Sequence, residues 1–115
     1  MYHFTMKWPG PPAAMGAFHT AEIPFVMDDL ERVKNASQLP FDAKYQTLAK
    51  TMSAYWVQFA KTGNPNKEGL PEWPAYDAAK DQYMEFGEAV KVGQGLRKEK
   101  LDLWERFNDM KRETR

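Results

Sequence analysis

The chain contains no cysteine. That removes disulfides, thiolate zinc sites and cysteine nucleophiles together. It also lacks any charge excess, with 16 Lys and Arg against 16 Asp and Glu. No basic excess points to nucleic acid or to an anionic membrane surface. No apolar run approaches the roughly 20 residues that a membrane helix needs. Met1-Tyr2-His3-Phe4-Thr5 shows no basic segment leading into an apolar one, so no signal peptide is expected and the cytoplasm is the default compartment. No nucleic-acid or membrane partner is expected.

Histidine is nearly absent too: only His3 and His19 are present. Their separation matches no metal-ligand motif, and no carboxylate cluster is placed to complete a four-coordinate site. Gly93-Gln94-Gly95 lacks the third glycine and the preceding buried strand of a phosphate-cradling loop. No cofactor and no metal are expected. Nowhere does Gly-x-Ser-x-Gly occur, so the strand-to-helix turn that presents a nucleophilic serine is not encoded in these residues.

Aromatic residues are plentiful. Four Trp, seven Phe and five Tyr, with seven Met, sit in a chain of 115 residues whose mean hydropathy is only −0.72. A chain of that length makes at most one small domain. So many large apolar side chains need burial in its core or against a partner.

Residues 2–8 alternate Tyr2, Phe4, Met6 and Trp8 with His3, Thr5 and Lys7, which predicts a strand with one buried face. Pro9-Gly10-Pro11-Pro12 ends it. Thr20 is a candidate N-cap for a short helix toward Leu30, with Pro24 in its first turn. Asp28, Asp29 and Glu31 oppose a helix C-terminus, so that helix should end early, and residues 35–40 read as linker.

From Asp42 onward, Tyr45, Leu48, Met52, Tyr55, Trp56 and Phe59 recur at spacings of three and four. That stripe, stopped by Gly63 and Pro65, predicts a long helix over about 42–62. The Pro- and Gly-rich stretch 63–78 should be extended loop, with Trp73 and Tyr76 pinning it to the core. Residues 81–86 read as a strand in which Tyr83 and Phe86 compete for the inner face. Gly87-Glu88 turns it into a second strand around Val90 and Val92, which Gly93 and Gly95 break. A last helix, about 98–111, carries a stripe of Leu101, Trp104 and Phe107, extended by Leu103 and Met110, with Asp102 and Arg106 as an i,i+4 pair.

One stretch combines scarce and unusual residues: Gly16-Ala17-Phe18-His19-Thr20-Ala21-Glu22-Ile23-Pro24-Phe25-Val26. Histidine is the side chain that changes charge near neutral pH, so His19, on a loop after the Pro/Gly/Ala stretch, is the candidate acid/base residue. The plainer alternative is a loop histidine held by a structural hydrogen bond. Residue chemistry alone provides one candidate base and no nucleophile for it to activate.

The same stretch resembles the catalytic-histidine segment of the type-B carboxylesterases, the cholinesterase-like branch of the α/β-hydrolases. The family pattern is a glycine, two residues, the histidine, a small residue that is usually glycine, another residue, then glutamate; Thr20 stands at the glycine position. Tyr55-Trp56-Val57-Gln58-Phe59-Ala60-Lys61-Thr62-Gly63-Asn64-Pro65-Asn66 is similar to the family's long helix and its stop. Trp73-Pro74-Ala75-Tyr76-Asp77, Tyr83-Met84-Glu85-Phe86-Gly87 and Leu101-Asp102-Leu103-Trp104 resemble the segments that follow it, and agreement in order runs over about residues 2–107.

The resemblance implies a helix-dominated α+β architecture, the C-terminal segment of an α/β-hydrolase. It would be a single partial domain over residues 1–115, with one long helix, a terminal helix and two or three short strands. It implies that His19 is the general base of a Ser-His-Glu/Asp triad whose serine, acid and oxyanion donors lie upstream of Met1. Glu22 would then fix the histidine loop through hydrogen bonds rather than serve as the triad acid. The chain would act on an ester only when completed by that upstream part, and alone would be inactive. The alternative is a non-enzymatic helical module that self-associates. A strand at 2–8 without its former neighbours must pair with 83–86, pair across a dimer or fray. A homodimer through residues 42–62 and 98–111 is the expected partner arrangement.

Overall fold

A computed structural model describes residues 1–113. In chain order the elements are β1 (Tyr2–Phe4), a 3-10 turn (Pro11–Met15), α1 (Ile23–Val26), α2 (Leu30–Ser37), α3 (Ala43–Thr62), β2 (Gln82–Phe86), β3 (Val90–Gln94) and α4 (Lys98–Glu113). The helix-rich α+β architecture with short strands matches the expectation.

The long helix forms where its signals predict. The Asp42 carboxylate accepts a hydrogen bond from the Lys44 N–H at 3.0 Å, occupying one donor that a helix start leaves open. At the other end Gly63 takes a left-handed conformation, φ 75°, and its N–H bonds back to the Phe59 carbonyl at 2.7 Å. Between these caps α3 buries Tyr45, Leu48, Ala49, Met52 and Tyr55. Trp56 is half-buried, while Phe59, expected in the same stripe, is 57% exposed because the stripe drifts off the core near the helix end.

Two aromatic clusters sit along this helix. Phe25, Phe41 and Tyr45 stack with Trp8 and Phe4 at one end. Tyr55, Trp56, Trp73 and Phe86 stack with Tyr2 at the other. Each fully buried large side chain contributes about 1.5–3 kcal/mol of transfer free energy.

The sheet has the order β1-β2-β3. β1 runs parallel to β2 with Tyr2 opposite Met84 and Phe4 opposite Phe86, so residues 2–4 find their neighbour within the chain. The predicted strand over 2–8 is shorter than its alternation suggests. After Phe4 the N–H groups of both Thr5 and Met6 turn toward the single Phe86 carbonyl, which ends the ladder. Alternation still places Met6 in the core. β2 buries Met84 and Phe86, so Phe86 wins the inner face and Tyr83 goes to the outer one.

Four expectations need correction. Gly93 does not break β3: it sits inside the strand opposite Tyr83, where a Cβ would come within 2.5 Å or so of the phenol ring. Residues 30–37, half of them read as linker or helix end, form α2. Leu30 is buried, and Asp29 and Glu31 lie at a helix start, where negative charge is favourable. Asp102 pairs with Lys98 at 2.7 Å rather than with Arg106. Tyr76 does not pin its loop by burial; it is exposed and donates its hydroxyl proton to Asp81 at 3.3 Å. Trp73 does pack against the core.

Candidate active site

His19 lies in an irregular segment between the 3-10 turn and α1. Proline at 11 and 12 fits the first turn of a 3-10 helix, and Gly16 at φ 70° ends it with its N–H on the Ala13 carbonyl at 3.1 Å. From there the chain makes overlapping turns, with Ala21 N–H to the Phe18 carbonyl and Ile23 N–H to the Thr20 carbonyl, both 3.1 Å. These feed directly into α1, which is too short to be capped by Thr20 as expected; Glu22 takes the cap position instead.

Thr20 has φ 69°. A β-branched residue in this left-handed region is a genuine outlier, and glycine is what the position favours. The Thr20 hydroxyl donates to the His19 carbonyl at 2.5 Å. The family pattern, with glycine after the histidine, therefore has a backbone reason here, and the departure to threonine is a local strain.

The His19 side chain is exposed and makes no hydrogen bond or ion pair among the described residues. That corrects the plainer alternative, since no structural hydrogen bond explains this histidine. A triad base needs a group to orient one ring nitrogen and a nucleophile at the other. Neither is supplied within residues 1–113.

Glu22 is also corrected: its carboxylate forms no hydrogen bond, and it holds the turn through its backbone carbonyl, which accepts from Phe25 and Val26 N–H at 3.0 Å each. Its charge is still felt at Tyr2, whose hydroxyl pKa is raised by burial first and by Glu22 second. His3 is a half-buried strand residue with its ring edge-on to Tyr83 at 6.0 Å. No cluster of three or more His, Asp or Glu able to hold a metal exists among the described residues.

What sequence reasoning missed is Trp8. Its indole N–H donates to the Ala21 carbonyl at 3.0 Å, and its ring meets Phe18 at 5.1 Å and Phe41 at 5.3 Å. The alternating pattern of residues 2–8 marked Trp8 as inward-facing but gave no hint of the segment it would hold.

A cavity lies elsewhere. A half-open cleft of about 820 Å³ between the end of α3 and residues 64–76 is lined by Trp56, Phe59, Trp73 and Tyr76, and no residue of the His19 segment borders it.

Solved structures with this arrangement are esterases of the α/β-hydrolase fold. A thermophilic PNB esterase superposes with a TM-score of 0.75 at 31% identity, covering 87% of this chain and 20% of that one. An esterase from the anaerobe Clostridium hathewayi, which can hydrolyse aliphatic aromatic polyesters, superposes at 0.74 with 25% identity, covering 91% and 20%.

The chain belongs to the carboxylesterase family, whose sequence model matches residues 1–104. Human cocaine esterase is 35% identical over 95 residues, 83% of this chain and 16% of that protein. Bovine carboxylesterase 4A is 34% identical over 111 residues, 94% and 19%. The chain thus spans about a fifth or less of the length of the relatives it matches.

Proposed function

We propose that these residues are the C-terminal segment of a carboxylic-ester hydrolase and that His19 is its general base. In that role the imidazole takes the proton of a serine hydroxyl as it attacks the ester carbonyl, then returns it to the leaving alcohol. The carrying observation is the exposed His19 imidazole with no internal partner, held on a turn whose backbone is strained at Thr20. A histidine with a merely structural role would be expected to spend its ring nitrogens inside the fold. The nucleophile, the triad acid and the oxyanion donors come from outside residues 1–113 in this reading. Because such groups act as a unit, the 115-residue chain by itself does not turn over.

Hydrolysis of a simple aryl ester tests both parts. The isolated chain is expected to show no saturable rate. In an assembly that does hydrolyse, His19→Ala is expected to remove nearly all turnover while leaving the fold intact. Saturable hydrolysis by the isolated chain, abolished by His19→Ala, would overturn the inactivity and keep the base; hydrolysis indifferent to His19→Ala would overturn the base.

A second reading, a self-associating helical module, is favoured by α4, whose Leu101, Trp104, Phe107 and Met110 are all exposed. Such a stripe is commonly covered by a partner. Solution mass decides it: a monomer at high concentration sinks the homodimer.

A further inference from the structure

We propose that Trp8 is the positioning residue for His19, clamping the strained turn that carries it. The proposal rests on the reading of His19 as a base, and it concerns how that base is aimed.

The contacts bracket the histidine. Phe18, immediately before it, meets the Trp8 ring at 5.1 Å, and Ala21, two residues after it, accepts the indole N–H at 3.0 Å. The hydrogen bonds of the turn itself, Ala21 to Phe18 and Ile23 to Thr20, close the segment on itself and would travel with it. Trp8 instead ties the segment to something fixed. Its ring packs edge-on against Phe41 at 5.3 Å, and Phe41 packs on Tyr45 of α3 at 5.3 Å. Both Phe41 and Tyr45 are buried.

A clamp is needed because Thr20 resists the conformation it occupies. Its φ of 69° is unfavourable for a β-branched residue, and such strain persists only where surrounding contacts over-determine it. Left free, the turn would relax and His19 would swing with it. The Thr20 hydroxyl on the His19 carbonyl, like the backbone hydrogen bonds of the turn, lies within the turn. Trp8 is therefore the side chain that converts a strained turn into a fixed histidine. It is not a group that would touch substrate.

Nuclear magnetic resonance on the full 115-residue chain tests this without requiring activity. Trp8→Phe keeps a ring over Phe18 and Phe41 but deletes the N–H. It is expected to leave the exchange protection of α3 unchanged and to speed amide exchange at Ala21 and Ile23 about fivefold, as loss of one net hydrogen bond implies. The His19 ring Hε1 resonance is expected to shift and broaden. In a Thr20→Gly background the same substitution should have a smaller effect, because the strain it restrains is gone. An unchanged His19 resonance in Trp8→Phe overturns the proposal. So does faster exchange shared equally by α3, which would mean a general loss of stability. Should hydrolysis prove indifferent to His19, the base reading fails while these loop measurements still stand or fall by themselves.

Discussion

Helices α3 and α4 are written in the same code and come to opposite ends. Each carries large apolar residues at helical spacing, each has polar residues between them, and each forms where expected. α3 buries five residues and organises both aromatic clusters. α4 buries none: Trp104 is 61% exposed, and among the described residues its ring stacks on Phe107 of its own helix at 5.5 Å. Periodicity thus dictates helix and face, but what covers the face depends on the rest of the chain. Helix α1, through Phe25, packs on α3, and Phe86 and Trp73 from sheet and loop close over its other end. Nothing among the described residues returns to close over α4.

That contrast can be measured. Tyr55→Ala, at a fully buried site with Trp73 and Phe86 against its ring, should cost about 3–5 kcal/mol in denaturant unfolding. Met52→Ala, equally buried, should cost about 2–5 kcal/mol. Removing the α3 cap by Asp42→Ala should cost about 1 kcal/mol. Trp104→Ala should fall within about 0.5 kcal/mol in dilute solution, where no partner covers α4. A cost for Trp104→Ala that approaches that of Tyr55→Ala, and grows with protein concentration, would erase the contrast and reveal a partner helix.

Alkaline titration sharpens the same comparison. The Tyr55 hydroxyl donates to the Pro71 carbonyl at 2.5 Å, and burial raises its pKa above the ordinary 10.0. The folded state thus holds this proton more tightly than the unfolded one. The stability it contributes is full below pH 10 and is lost as pH rises beyond it toward the folded-state pKa. Tyr55→Phe should flatten that alkaline loss, at a cost of about 1 kcal/mol near neutrality for the hydrogen bond. An equal alkaline loss in Tyr55→Phe would assign the effect to other tyrosines.

The parts of the fold legible beforehand were those with redundant local signals. α3 has a cap at each end and a stripe between, and β2 and β3 have a glycine turn between alternating residues. α2 was missed because its two large apolar residues, Leu30 and Val33, make too short a pattern against Asn35 and Ser37. Gly93 was read as a breaker because local propensity cannot see the Tyr83 ring lying over it from the next strand. At the candidate site, His19 was visible as a scarce residue in an unusual stretch. Its isolation, the Thr20 strain and the Trp8 bracket were not visible, since each depends on segments brought together only by folding.

The parallel pairing of β1 with β2 also sets an order of events during synthesis. Thr5 and Glu85, which meet at the end of that pairing, are 80 residues apart. At roughly 5–20 residues per second, the ribosome needs about 4–16 s to make the intervening chain. Throughout that interval residues 2–4 wait for β2, their partner strand among the described residues, whereas α3 can already form from its own local contacts. Residues 2–4 are therefore made long before the β2 residues they pair with, and that pairing is closed only after α3 has been synthesised.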